Sequence, residues 1–170
     1  MAHDTRMSNP AWTLDLSQHP QMLEVGGAGI CCFSSLSGPM SGRAADGLVV
    51  AGLTGGFVCI INTTDRSISA VHRPHTDDVR SIALHAGEPS RASGRSFGLV
   101  TTSFDGLGAV WCVNQSSGSS GLYSFQLQSM LKGHDDKILG VCSTVSNKSV
   151  EILTTGADGK AILWTQRMHK

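Results

Sequence analysis

The chain has 170 residues, of which 13 are acidic and 13 are basic, so its formal net charge is zero. A chain of this length can bury one sizeable core, and its balanced, scattered charge excludes the broad basic surface of a nucleic-acid binder or of a membrane-surface protein. No stretch of about 18 apolar residues is present, and residues 1–10 are polar and lack the apolar run of a signal peptide, so we expect a cytoplasmic or nuclear protein.

Short segments of alternating apolar and small or polar residues, separated by Gly, Asp and Ser, predict β-strands along nearly the whole chain. After a disordered tail at 1–10, the predicted strands are 12–16, 22–25, 30–34, 48–53, 57–62, 67–72, 79–84, 97–103, 107–113, 122–131, 138–143, 150–155 and 160–166. No segment has a convincing amphipathic helical pattern. The five cysteines lack CxxC spacing and are interpreted as reduced thiols. The sequence therefore predicts an all-β fold.

Two stretches of these strands repeat one another. Residues 99–111 and 152–164 both contain Thr four residues before an Asp-Gly pair and Trp six residues after the Asp, and a His with an acidic turn precedes each stretch. The repeated side chains are His75, Thr101, Asp105 and Trp111, and His134, Thr154, Asp158 and Trp164. A degenerate earlier copy has Ala51, Gly55 and Ile61 in the places of Thr, Asp and Trp. Such a period is typical of repeat architectures.

These residues resemble the WD-repeat (WD40) family, whose signature is a Gly-His pair, an Asp turn and a Trp-Asp pair. Gly133-His134 matches this signature, while Cys112 and Thr165 replace the Asp that follows Trp. The resemblance implies a partial WD40-type β-propeller of four-stranded antiparallel blades over residues 11–170. Its implied units are the strands of an incomplete blade at 11–25, a degenerate repeat at 26–72 and repeats at 73–131 and 132–170.

The resemblance also implies that the repeated side chains form two structural tetrads. A buried Trp N–H needs an acceptor, a Thr hydroxyl can accept from it and donate to His, and a carboxylate can hold the other imidazole nitrogen. The same Thr, His and Asp types could serve as a nucleophile, a base and an orienting group. The same set occurs twice at the same spacing from a Trp, as an active site rarely does, and this favours the structural role.

A metal site is a weaker alternative for the acidic turns that follow His75 and His134. Zinc sites normally show one closely spaced ligand pair and a second, distant pair, and the sequence supplies no second pair. We therefore expect no metal and no cofactor.

The sequence favours a non-catalytic protein–protein interaction scaffold that acts as a subunit or adaptor of a larger complex. The candidate partner-binding loop residues are Asp78, Arg80, Phe104, Asp136 and Lys137, which combine charge with an aromatic ring. A hydrolase-like enzyme with a Thr or Cys nucleophile and an RNA-associated propeller subunit are the alternatives. Because three blades do not close a usual ring, the chain is expected to be a piece of a longer propeller, a half-ring completed by a partner chain, or half of a homodimer. The strands at 12–16 and 22–25 could complete the last blade.

Overall fold

The computed structural model describes residues 13–16, 20–23, 29–35, 47–86, 96–116, 123–146 and 149–167. A short helix, α1 (Pro20–Leu23), precedes the strands. In order, the strands are β1 (Ile30–Ser35), β2 (Leu48–Leu53), β3 (Val58–Asn62), β4 (Ser67–His72), β5 (Val79–Ala86), β6 (Ser96–Ser103), β7 (Gly108–Gln115), β8 (Tyr123–Leu131), β9 (Ile138–Val145), β10 (Ser149–Gly156) and β11 (Ala161–Arg167). A single 3-10 turn, Thr54–Gly56, joins β2 to β3.

The strands form antiparallel sheets in which neighbours in sequence are neighbours in space. Blade 1 has the order β1-β2-β3-β4, blade 2 has the order β5-β6-β7-β8, and blade 3 contains β9, β10 and β11. The predicted all-β fold is confirmed, and from residue 30 onward each predicted strand lies within two residues of an observed one at both ends. The proposed unit boundaries, including the tail at 1–10, lie partly outside the described residues and stay predictions.

The strands predicted at 12–16 and 22–25 are wrong in the described part of these segments. Residues 13–16 form no strand, and Pro20–Leu23 is helical because a proline at the first helical position has its φ preset and lacks an N–H that the helix could not use there. Leu16 instead packs against blade 1. The expected completion of the last blade by these strands is therefore not observed.

Two apolar cores join the blades face to face. Val50 and Ile60 of blade 1 pack with Leu99 and Trp111 of blade 2 in the first core. In the second core, Val100 and Val110 point the opposite way from blade 2 and pack with Val150 and Ile152 of blade 3. The alternating side-chain directions of a strand explain how blade 2 contributes to both cores.

The outer face of blade 1, on the side away from blade 2, is covered by the N-terminal segment. Leu16 is only 6% exposed and packs with Leu53, Phe57 and Cys59, and Leu14 lies against the same cluster. This face thus has an apolar cover that comes from the same chain.

Polar contacts tie the inner strands of neighbouring blades together. The Cys32 thiol donates to the Val79 carbonyl across 3.4 Å, and the Val141 amide donates to the Ser81 hydroxyl across 3.2 Å. Both contacts join the first strand of one blade to the first strand of the next. The three blades are therefore fixed to each other by hydrogen bonds as well as by apolar packing. Among the described helices, none has the length and apolar character needed to cross a membrane.

Candidate functional site

Because successive strands run antiparallel, the turns and links that connect them lie at two opposite ends of the blades. The turns at 54–57, 104–107 and 157–160 and the links at 73–78 and 132–137 all lie at one end, which we call the tetrad end. The β3–β4 turn at 63–66 lies at the other end.

The first tetrad is a continuous chain of hydrogen bonds across blade 2. Trp111 Nε1 donates to Thr101 Oγ1 across 3.1 Å, and Thr101 Oγ1 lies 2.9 Å from His75 Nε2. His75 Nδ1 lies 3.0 Å from Asp105 Oδ2. Asp105 also accepts the Thr76 and Leu107 backbone N–H groups, which holds the β6–β7 turn against the link from blade 1.

The second tetrad repeats this geometry in blade 3. Trp164 Nε1 donates to Thr154 Oγ1 across 2.9 Å, Thr154 Oγ1 lies 2.9 Å from His134 Nε2, and His134 Nδ1 lies 3.0 Å from Asp158 Oδ1. Asp158 accepts backbone N–H groups from Asp135 and Lys160. The structure therefore brings together all eight side chains that the sequence singled out, as two separate sets of four.

In each tetrad, the donor at one end and the acceptor at the other end fix the direction of all the hydrogen bonds between them. Trp donates only, and an ionised carboxylate accepts only, so the protons run from Trp to Thr to His Nε2, and His Nδ1–H donates to Asp. Burial lowers the pKa of His75, although the Asp105 carboxylate opposes this shift, so His75 is neutral at pH 7. Despite an opposing effect of desolvation, the hydrogen bonds from Asp135, His134 and Lys160 lower the pKa of Asp158 to about 2. A neutral His75 and an ionised Asp158 match this bonding pattern.

Blade 1 keeps the strand register of a tetrad without its polar groups. Ala51 pairs with Cys59 across the sheet as Thr101 pairs with Ala109, and Ile61 pairs with Val49 as Trp111 pairs with Leu99. Ala51 is buried, so an apolar side chain fills the place of the Thr hydroxyl.

Three of the five candidate partner-binding residues meet at the tetrad end. The Arg80 guanidinium carbon lies 4.9 Å from the centre of the Phe104 ring, and Lys137 Nζ lies 4.6 Å from it. Both distances are within the range of a cation–π interaction. Arg80 belongs to blade 2 and Lys137 immediately precedes blade 3, so this group, the Phe104 patch, spans the boundary between the blades.

The other two candidates have backbone partners. Asp78 Oδ1 accepts the Gly55 N–H across 3.0 Å, and the Asp78 carbonyl accepts the Phe104 N–H, so Asp78 links the turns of blades 1 and 2. Asp136 Oδ1 accepts the Lys137 N–H across 2.7 Å. These two acidic residues position the turns on which the Phe104 patch is built.

A second cation–aromatic pair was not predicted from the sequence. The Arg73 guanidinium carbon lies 5.1 Å from the centre of the Phe57 ring, and Arg73 Nε donates to the Gly55 carbonyl across 3.0 Å. Phe57 ends the turn of blade 1 and corresponds to Leu107 of the next repeat, so comparison of the repeats did not single out its ring. In the described residues, no three His, Cys, Asp or Glu side chains form a group that could hold a metal ion.

Comparisons with known proteins agree with this geometry at the level of the fold. No family model and no curated protein matches the chain. Among solved structures, it is similar to the WD40 domain of SCAP from fission yeast, with a TM-score of 0.57 and 13% sequence identity. The match covers 83% of this chain and 32% of that chain, so this chain spans about a third of the length of that chain. The fold is thus that of a partial WD40-type β-propeller.

Proposed function

We propose that the chain is a non-catalytic scaffold that contacts a protein partner through the Phe104 patch. The observation that supports this proposal most directly is the convergence of Arg80, Phe104 and Lys137 at the boundary of two blades. Aromatic and Arg side chains are enriched among the residues that dominate protein interfaces. The patch offers both, with an adjacent ammonium group.

The burial of the tetrads argues against an enzyme built from the same residues. Thr101 is fully buried and His75 is only 4% exposed. The Thr101 hydroxyl already contacts both Trp111 and His75, so a substrate could not reach it without breaking the tetrad. A nucleophile must have access to the reacting atom.

The tetrads also support the proposal by holding the patch in place. Phe104 directly precedes Asp105, and its N–H bonds to the link that leads into β5. Asp105 joins the same link through the Thr76 N–H. A partner that binds a turn restrained in this way loses less conformational entropy on binding than one that must order a loop.

Site-specific photo-crosslinking of the full chain tests the proposal. A photoreactive residue at Ala157, exposed at the tetrad end, is compared with one at Thr64, exposed at the opposite end. We expect a defined adduct from position 157 only, and its loss in the Phe104→Ala variant. With the purified partner, Phe104→Ala should weaken binding by at least about tenfold, as for a residue that dominates an interface.

Charge reversal provides the matched control. The double variant Arg80→Glu and Lys137→Glu should lose the adduct, whereas Arg66→Glu, in the β3–β4 turn at the opposite end, should keep it. An adduct that forms equally from positions 64 and 157, or that survives Phe104→Ala in a folded chain, would contradict the proposal.

A further inference from the structure

Blade 3 has one strand fewer than the other two blades within the described residues. In blades 1 and 2 the third strand pairs with a fourth, β3 with β4 and β7 with β8. β11 holds the equivalent third position and pairs with β10, and no described strand pairs with its outer edge. We call this edge of Ala161–Arg167 the open edge.

The two tetrad tryptophans show what a fourth strand covers. Trp111 pairs with Leu127 of β8 and is 8% exposed, and its ring centre lies 5.2 Å from that of His72 of β4 in a T-shaped arrangement. His72 in turn stacks on Phe125 of β8 at 4.8 Å. Trp164 stands at the same register position of β11, with Ile152 as its partner on β10, and is only partly buried. A fourth strand beside β11 could therefore cover Trp164 in the way that β8 and β4 cover Trp111.

The open edge lacks the usual protection of an exposed strand. Natural edge strands carry proline, a bulge or inward charges that prevent pairing with another chain. β11 contains no proline, pairs with β10 without a register shift, and has a single charge, on Arg167 at its last position. Its seven residues thus form a regular template for a further antiparallel strand.

The charges around the groove between β8 and the open edge favour one kind of segment. β7 and β8 carry no charged residue, and the side of β8 toward blade 3 presents Ser124 and Gln126. Lys132 follows β8 at one end of the groove. Arg167 and Glu151 both lie on the face opposite to the buried Val150 and Ile152, since Arg167 pairs with Ser149 and Glu151 pairs with Thr165, so neither charge faces the groove. An uncharged or acidic segment therefore fits this groove better than a basic one.

The described residues also argue against two other occupants. Leu14 and Leu16 of the N-terminal segment lie against blade 1, two blades away from β11. A second copy that paired its own β11 antiparallel to this one would bring its blade 2 to the side where β7 and β8 already lie, and the two copies would compete for this space. A single added strand requires only the spacing between neighbouring strands, about 4.8 Å.

We propose that the open edge binds an extended segment of another protein, which pairs antiparallel to β11 and completes blade 3. The segment is uncharged or acidic and alternates apolar or aromatic with polar side chains, so that its apolar side covers Trp164. This binding is separate from that of the Phe104 patch and uses main-chain hydrogen bonds for affinity.

A synthetic peptide with the sequence of residues 123–131 serves as the probe, because this segment is the fourth strand of blade 2 and carries no charge. The full chain is titrated with the labelled peptide by fluorescence anisotropy, and hydrogen exchange is followed by mass spectrometry. We expect saturable binding and an exchange rate at least about tenfold slower at alternate amides of β11. Exchange in β9 should not change.

The controls separate strand pairing from non-specific adhesion. A peptide of the same sequence with alternate amides N-methylated should not bind, since it cannot form the ladder. Leu163→Lys on β11 should weaken binding, whereas Leu139→Lys on β9, where the leucine is also exposed, should not. A Glu added at the peptide's N-terminus, opposite Arg167, should raise affinity by up to about fivefold, and Arg167→Gln should abolish this gain.

Three outcomes would overturn the proposal. The first is equal binding of the N-methylated peptide, and the second is altered exchange in β7 and β8 instead of β11, which indicates strand exchange. The third is slow hydrogen exchange of the β11 amides in the free chain, which would mean that the open edge is already paired. Light scattering would then show from the mass whether a second copy or the chain's own residues fill the edge. Phe104→Ala should leave peptide binding unchanged, so failure here is distinguishable from failure of the scaffold proposal.

Discussion

Trp111 and Trp164 occupy the same register position in consecutive blades and donate the same hydrogen bond, but in the described part of the chain a fourth strand shields only Trp111. The difference lies in the surroundings of the tetrads and not in the tetrads themselves. It predicts that equal substitutions in the two blades have unequal costs.

Replacing Thr101 with Val should lower the free energy of unfolding by about 1–3 kcal/mol, since Trp111 Nε1 and His75 Nε2 lose their partner in a buried site. Thr154→Val should cost less, because Trp164 is less buried than Trp111. Urea unfolding followed by circular dichroism measures both. Thr144→Val, at an exposed position of β9, is the control and should change stability by less than about 0.5 kcal/mol. A cost for Thr101→Val no larger than the control would contradict the structural role of the tetrad.

Stability should fall as the pH is lowered through about 6.5. Burial lowers the pKa of His72, His75 and His85 in the folded chain, whereas these groups titrate near 6.5 when unfolded. Below 6.5 the unfolded state therefore binds more protons, so the stabilisation is complete above this pH and decreases below it. Melting temperatures between pH 7.5 and 5 measure the loss.

His72→Phe separates one contribution to this pH dependence. Phe keeps a ring that can stack on Phe125 but cannot bind a proton. The melting temperature should therefore fall less between pH 7.5 and 5 than in the unsubstituted chain. An unchanged fall would show that His72 does not contribute.

Two turn glycines should differ in their tolerance of alanine. Gly56 and Gly159 both have positive φ, at 87° and 75°. A Cβ on Gly56 would lie 2.0 Å from the His75 carbonyl oxygen, whereas one on Gly159 would meet nothing within 4 Å. Gly159→Ala should cost roughly 1–2 kcal/mol of backbone strain, and Gly56→Ala more than about 3 kcal/mol. Equal costs in urea unfolding would mean that the close approach at Gly56 does not exist in solution.

The cover of blade 1 can be tested through Cys59. This thiol is fully buried, and burial raises its pKa to about 12, so it should resist alkylation. Leu16→Ala should destabilise the chain by about 2 kcal/mol or more and speed alkylation of Cys59, measured site by site with mass spectrometry. Leu23→Ala, at an exposed leucine, is the control, and exposed Cys142 should react alike in every variant. Slow alkylation of Cys59 in Leu16→Ala would show that this leucine is not the cover.

Local spacing explains why the Thr and Trp of each tetrad could be singled out from the sequence, whereas the link to the distant His came from the resemblance to the WD-repeat family. Thr101 and Trp111 lie on paired neighbouring strands, so ten positions of sequence fix their distance. The Phe104 patch depends on Lys137, which reaches Phe104 only because blade 3 packs on blade 2, and no short-range pattern encodes that packing.

The N-terminal segment shows why an alternating pattern can mislead. Leu14 and Leu16 have the two-residue spacing of a strand, yet an extended segment that lies across the face of a sheet also has this spacing. Only the tertiary structure distinguishes pairing at an edge from packing on a face.

The leucine cover on blade 1 gives the row of blades unlike ends. On the far face of blade 3, Cys142, Leu153 and Leu163 lie side by side and are exposed. Head-to-tail stacking of copies, which builds rings or open filaments, would have to bring this face against blade 1. Leu14 and Leu16 already occupy that position, so each added copy would first have to displace them. The N-terminal leucines therefore cover the face that such stacking would need, whereas the opposite end of the row of blades is uncovered in the described residues.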